Sequence, residues 1–211
     1  MPLNVPDGQR CFLDANILYY CFVDVPPFSG ACRSLLQRVQ NGDLAAFADS
    51  RSLSDCVHKA MLAEVSQRFD RPREKLIGWL KQHPEALADL PRTKEICDRL
   101  LQVRMNILPI EPGMLPSAVA VVESEKLLLG DANIVVQMRT NDVTHLATND
   151  DDFDRVPGIT VWKPRCSSRC VLAVGPGVYI WGWITIRNRR TSASIAAAAV
   201  APLAPARDNS F

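Results

Sequence analysis

Four separate stretches of the 211-residue chain place Asp side chains where the surrounding pattern is apolar or turns sharply. Asp14 interrupts RCFLDANILYYCF at the point where an apolar strand pattern passes into an apolar helix pattern. A carboxylate there is costly to bury unless something pairs with it. Asp55 falls near the start of a helix pattern, Asp131 opens the helix pattern DANIVVQMRTN, and TNDDDF, residues 148 to 153, contains a run of three acids. Taken singly, each reads as a helix cap or a solvated turn, since Asp is a common N-cap residue. Together they bring like charges to one place, where they repel unless a cation neutralises them. An oxygen-only donor set without a matching His or Cys group selects a hard divalent ion, Mg2+ or Mn2+. Such an ion suits the attack of water on a phosphodiester.

That convergence requires particular elements. Short apolar runs at 10 to 14, 44 to 48, 107 to 110, 143 to 148 and 159 to 162 read as buried strands. Between them lie helix-period segments: SGACRSLLQRVQNG, SLSDCVHKAMLAEVSQRF, REKLIGWLKQH, MLPSAVAVVESEKL and DANIVVQMRTN. Strands alternating with helices imply an α/β fold with a central, mainly parallel sheet covered on both faces. Ligands in such sheets bind beyond the carboxyl ends of the strands, which is where Asp14 and the TNDDDF turn fall.

The composition, 47% hydrophobic and 22% charged, is that of a globular protein and excludes disorder throughout. The net charge of +1 conceals a division: residues 1 to 164 hold 18 Lys+Arg against 22 Asp+Glu, whereas 165 to 211 hold six Arg against Asp208 alone. We therefore expect a folded domain over 1–164 and an irregular or disordered C-terminal extension over 165–211, whose Ala-, Pro- and Ser-rich end has little to anchor it. The segment 170 to 186 is uncharged but contains Gly-Pro-Gly, so a short hairpin or no fixed structure is expected rather than a membrane span. Seven scattered cysteines read as reduced thiols, the opening residues lack the regions of a secretory signal, and a cytoplasmic location without membrane association is expected.

The ordered segments FLDANILYY, DSRSLSDCVHKAML and GDANIVVQMRTNDVTHLATNDDDFDRVPGITVW resemble the PIN domain, and within it the toxins of VapBC-type toxin–antitoxin pairs. The resemblance covers roughly residues 10 to 164. It implies a three-layer α/β/α sandwich and an Mg2+- or Mn2+-dependent endoribonuclease, the toxin of a type II pair. Asp14 and Asp131 match the most dependable metal-site acids, Asp150 the first acid after Thr148, and Asp55 the helical acidic position, where many relatives have Glu. Asp14, Asp131 and Asp150 are thereby expected to hold the metal, and these three with Asp55 to serve catalysis. Asp152, Thr148, Ser50 and Asn16 are additional candidates beside the site. The resemblance further implies an RNA substrate, a small antitoxin partner and a symmetric homodimer.

Glu64 competes with Asp55 for the helical role, but nine residues place the two on opposite faces of one helix, and Glu64 has Arg68 at i+4. With a net acidic domain, RNA binding must rely on local basic groups such as Arg10, Lys59 and Arg155 or on the Arg-bearing tail. Tyr19, Tyr20 and Phe22 read as core or subunit interface. The alternative is a catalytically silent PIN-like module that binds RNA or an antitoxin. A haloacid-dehalogenase-type phosphatase ranks lower, because DAN lacks that family's second Asp.

Overall fold

The strand at the centre of the sheet, β1 (Arg10–Leu13), buries Cys11, Phe12 and Leu13 almost completely, and strand alternation sends them to opposite faces. Cys11 and Leu13 enter one hydrophobic core and Phe12 the other. A strand that is apolar on both sides must be covered on both sides, and the remaining elements do this. The computed structural model describes residues 3–164.

From β1 the chain runs through α1 (Ala15–Phe22) and α2 (Ser29–Asn41) to β2 (Ala45–Asp49). It continues through α3 (Ser50–Arg68), α4 (Arg73–Gln82) and α5 (Pro91–Leu101) to β3 (Met105–Leu108). Then α6 (Leu115–Glu125) and α7 (Leu129–Thr140) lead to β4 (His145–Ala147), and a 3-10 turn, Asp151–Arg155, precedes β5 (Thr160–Trp162). The five strands are all parallel, in the order β3-β2-β1-β4-β5.

This order reverses direction at β1. The first two crossovers build outward to β3, and their helices share one face: Ile17, Leu35, Val39, Cys56 and Leu100 pack with Cys11, Leu13 and Ala46. The third crossover returns to the other side of β1, and right-handed connection then forces its helices onto the opposite face. There Ala118, Val121, Val135 and Met138 pack with Phe12, Phe47 and Leu146. The result is a three-layer α/β/α sandwich. Between β1 and β4 the chain leaves in opposite directions, which opens a crevice at their carboxyl ends.

The strands fall within two residues of the sequence expectation. The largest offset is β3, which ends at Leu108 because Pro109 has no N–H to extend a ladder. The sequence reading assigned no helix to α5, whose buried side is only Ile96 and Leu100. Ile96, Cys97, Leu100 and Leu101 nonetheless recur at helical spacing, and Pro91 at its first turn is a recognisable start. Helix α2 stops at Gly42, whose φ of +86° is the left-handed conformation that glycine adopts without strain. Cys11, Cys21, Cys32, Cys56 and Cys97 are free thiols. No described helix is long and apolar enough to cross a membrane. The expected domain limit at 164, the tail and the 170–186 segment lie outside the described residues.

Phe12 touches the second core from the middle of the sheet, so Phe12→Ala removes a large ring from a fully buried site. We expect a loss of about 3–5 kcal/mol in denaturant unfolding. A loss below about 1 kcal/mol would show that this core is not closely packed.

Candidate active site at the carboxyl edge of the sheet

Asp14 stands at the end of β1, in the crevice between β1 and β4, and its backbone N–H donates to the Ala147 carbonyl at 3.1 Å. It occupies the N-cap position of α1, yet its side chain makes no cap hydrogen bond. The carboxylate turns instead toward the fourth strand. Its Oδ2 accepts from Asn16 Nδ2 at 2.5 Å and from the Thr148 hydroxyl at 2.7 Å. Asn16 Nδ2 also lies 3.2 Å from Thr148 Oγ1, while Asn16 Oδ1 accepts from the Asn149 backbone at 3.1 Å. Thr148 Oγ1 in turn accepts from the Asp150 backbone at 3.1 Å. Asn16 and Thr148 are both buried, so these bonds form in a shielded setting where leaving them unmade would be costly.

Asp150 caps the 3-10 turn after β4, its Oδ1 accepting from the Asp152 backbone at 2.9 Å. Asp131 lies in the first turn of α7, which begins two residues earlier than the sequence pattern indicated, at Leu129. The Asp14 charge acts on both of the other carboxyls. Burial raises the Asp131 carboxyl from an ordinary 3.8 to about 7, with the Asp14, Asp150 and Asp152 charges adding to the rise and Arg51 opposing it. Asp14 is also raised, by burial first; Lys59 and the Thr148 hydroxyl pull it back, and Asp49 pushes it further up. Asp150 is raised by burial and then by the charges of Asp152, Asp14 and Asp151, against the Asp152 N–H. Asp152 itself pairs with Arg155 at 3.0 Å, and Asp151 is exposed and bonded to Lys163.

The remaining sequence candidates lie apart from this network. Asp55 is half-exposed on α3 and pairs with Arg51, its Oδ2 standing 3.5 Å from Nε. Ser50, the first residue of α3, is exposed and makes no side-chain hydrogen bond to another described residue. Glu64, on the opposite face of α3, caps α5: its carboxylate accepts from the backbones of Arg92 and Thr93 at 3.1 and 2.8 Å and from the Thr93 hydroxyl at 2.6 Å. Burial works against its charge, but these bonds hold the carboxyl below its usual value. Of the basic groups, Lys59 acts on Asp14. Arg10 lies over the Phe47 ring at the start of β1, the far end of the strand, and Arg155 is bonded to the carbonyls of Glu125 and Lys126. Tyr19 and Tyr20 belong to the core, and Phe22 packs against it.

Two residues at the site were not singled out from the sequence. Asp49 ends β2 as Asp14 ends β1, and the pairing of Phe12 with Phe47 puts the two level across adjacent strands. It is 1% exposed; Oδ1 accepts from the Ser52 backbone at 2.6 Å, while Oδ2 is buried without a partner among the described residues. The repeated strand-ending Asp was the available signal. Arg51 has no comparable signature, because its position depends on how α3 lies beside the start of α7.

These donors fit a hard divalent cation in chemistry: carboxylates of which Asp14 raises the other two, a buried carboxylate oxygen without a partner, and, among the described residues, no thiol or imidazole bonded to them. Among the described residues, no three acidic, His or Cys side chains stand close enough to cage an ion by themselves. Mg2+ is commonly held by one or two carboxylates with water completing its shell, so a full protein cage is not required.

The family model for the PIN domain matches residues 11–159, and the chain belongs to that family. No curated protein matches the chain. Among solved structures, a toxin–antitoxin complex from Klebsiella pneumoniae is 17% identical, with coverage of 74% of this chain and 99% of that one and a TM-score of 0.46. VapC20 of Mycobacterium tuberculosis, a Sarcin-Ricin loop cleaving toxin, is 11% identical over 70% of this chain and 95% of its own, with a TM-score of 0.48. VapBC2 from Rickettsia felis, bound to a promoter DNA fragment, is 17% identical over 74% and 98%, with a TM-score of 0.44. With TM-scores below 0.5, these likenesses carry no argument about the chemistry.

Two outcomes follow from the placement of the acids. Because Glu64 serves as a cap, Glu64→Ala should cost about 1–2 kcal/mol of stability. Phosphodiester cleavage by the folded variant should be unaffected, and a selective loss of cleavage would return Glu64 to the site. Asp131 is the opposite case: its folded value lies above its unfolded one, so the stability tied to its proton is fully present below pH 3.8 and is lost as pH rises through about 7. In chelator, Asp131→Asn should therefore stabilise the protein by roughly 1–3 kcal/mol at pH 8 and by less at pH 5. Equal gains at both pH values would mean that the gain does not come from this proton.

Proposed function

We propose that this protein is an Mg2+- or Mn2+-dependent endoribonuclease and the toxin of a type II toxin–antitoxin pair. What supports the reading is the network that ties Asp14 through Thr148 to the Asp150 turn at the switch point of a PIN-family sheet, with the Asp14 charge reaching both Asp150 and Asp131 from distant parts of the chain. Structural ion networks gain from pairing opposite charges, whereas this one assembles like charges, as sites that bind a cation or move protons do.

Asp14, Asp131 and Asp150 would hold the ion between them, not as a closed cage but with water completing its shell. When bound, it supplies a water of lowered pKa for in-line attack and charge compensation for the leaving 3′ oxygen. The chain's own residues set the geometry. Asn16 and Thr148 fix the Asp14 carboxylate in one orientation, and Thr148 joins it to the Asp150 turn, so two acids from separate crossovers keep a common frame. The orphan oxygen of Asp49 can accept a hydrogen bond from water beside Asp14. Asp55 contributes through Arg51 rather than by direct contact with the three acids. Products with 5′-phosphate and 3′-hydroxyl ends are expected. A small antitoxin covering the acidic crevice and a symmetric homodimer complete the proposal.

The test is cleavage of a single-stranded RNA panel with Mg2+ or Mn2+ beside a chelator control, together with melting curves with and without the ion. Asp14→Asn and Asp131→Asn should each lose cleavage by about a hundredfold or more and weaken the ion's stabilising effect while remaining folded. Cleavage that persists in chelator, or in both variants, would overturn the assignment.

A further inference from the structure

Arg51 is placed unlike the other arginines near the acidic rim. Its guanidinium lies against the backbone of Gly130, the residue before Asp131: a Cβ built on Gly130 would fall 1.5 Å from Nη1 and 2.2 Å from Cζ. From the other side Asp55 holds it through a single contact of 3.5 Å to Nε. The side chain is 44% exposed and makes no hydrogen bond to another described residue, so its donors face the rim unsatisfied by protein. Arg155, by contrast, is occupied by two backbone carbonyls and Asp152. An anionic strand approaching three elevated carboxyls needs a fixed positive group at that approach, and a planar guanidinium with free N–H groups suits phosphate oxygens.

We propose that Arg51, seated on Gly130 and tethered by Asp55, binds a backbone phosphate of the RNA strand beside the acidic crevice. This rests on the nuclease reading and assigns the substrate contact within it. Gly130 has a role of its own here, since only a residue without a side chain leaves room for the guanidinium at the start of α7. Asp55 becomes a positioning residue that holds the arginine in place.

Gly130 provides the discriminating variant. It lies in a helix and not at positive φ, so Gly130→Ala is compatible with the backbone, and the new methyl displaces only the end of a flexible side chain. Arg51→Ala should lower kcat/KM for single-stranded RNA by about 10- to 100-fold, with Arg51→Lys recovering part of the loss. Gly130→Ala should produce a loss of the same kind in the parent but none in the Arg51→Ala background, the non-additivity of two changes acting on one contact. The melting shift produced by Mg2+ or Mn2+ should survive in Arg51→Ala. In chelator, fluorescence anisotropy should show weaker RNA binding by Arg51→Ala, with the slope of log K against log salt reduced by about 0.7.

Parent-like binding and cleavage by Arg51→Ala would overturn the proposal. So would independent, multiplying losses in the double variant, or faster cleavage with a larger metal response, which would make Arg51 a plug over the ion's place. If the parent protein cleaves no RNA with either ion, the nuclease reading fails, and the anisotropy series alone then decides whether Arg51 is an RNA contact.

Discussion

The burial of Asp14, Asp131 and Asp150 at one edge of the sheet is the constraint around which the remaining structure is arranged. Carboxyls left to themselves would separate and hydrate, yet here the fold keeps them near one another and partly out of water. An elevation as large as that of Asp131 represents a few kcal/mol held against the folded state, in a class of molecule whose net stability is only about 5–15 kcal/mol. The two cores flanking β1 must offset it, and the nearly complete burial of Phe12, Leu13, Leu146 and Ala147 beside the crevice shows where that offset arises. A bound cation would relieve the opposition directly.

The topology explains why the acids meet. Because β4 returns to the near side of β1 after β2 and β3 have built outward, the ends of β1 and β4 become neighbours while their onward chains diverge. Asp14 and Thr148 face each other across that divergence, and α7 supplies Asp131 from the opposite layer to α1. The same logic separates the two acids of α3: Glu64 is turned toward the α5 terminus and Asp55 toward Arg51, so one helix serves both a structural junction and the rim of the crevice.

Much of this was legible in the sequence, for identifiable reasons. Strands apolar on both faces, such as CFL and AAFA, announce a covered parallel sheet, and an Asp ending such a run is conspicuous. Asp14 and Asp150 could be placed from strand ends alone; Asp131 required only that a helix start near it. The hidden part depended on register and on side-chain reach. Asp49 ends the AAFA run as visibly as Asp14 ends its own, but its relation to Asp14 appears only when β1 and β2 are laid side by side. Arg51 was invisible because no linear pattern reports that a guanidinium will rest on a glycine far along the chain. Helix α5 was legible but passed over: Ile96, Cys97, Leu100 and Leu101 recur at helical spacing behind Pro91.

The Thr148 hydroxyl has a consequence for the order in which this molecule comes into being. Its bond to Asp14 spans 134 positions, so the first acid has only its local Asn16 donor until the fourth strand lies beside the first. A chain that stops short of the fourth strand would carry Asp14 without the distant hydroxyl that completes its setting.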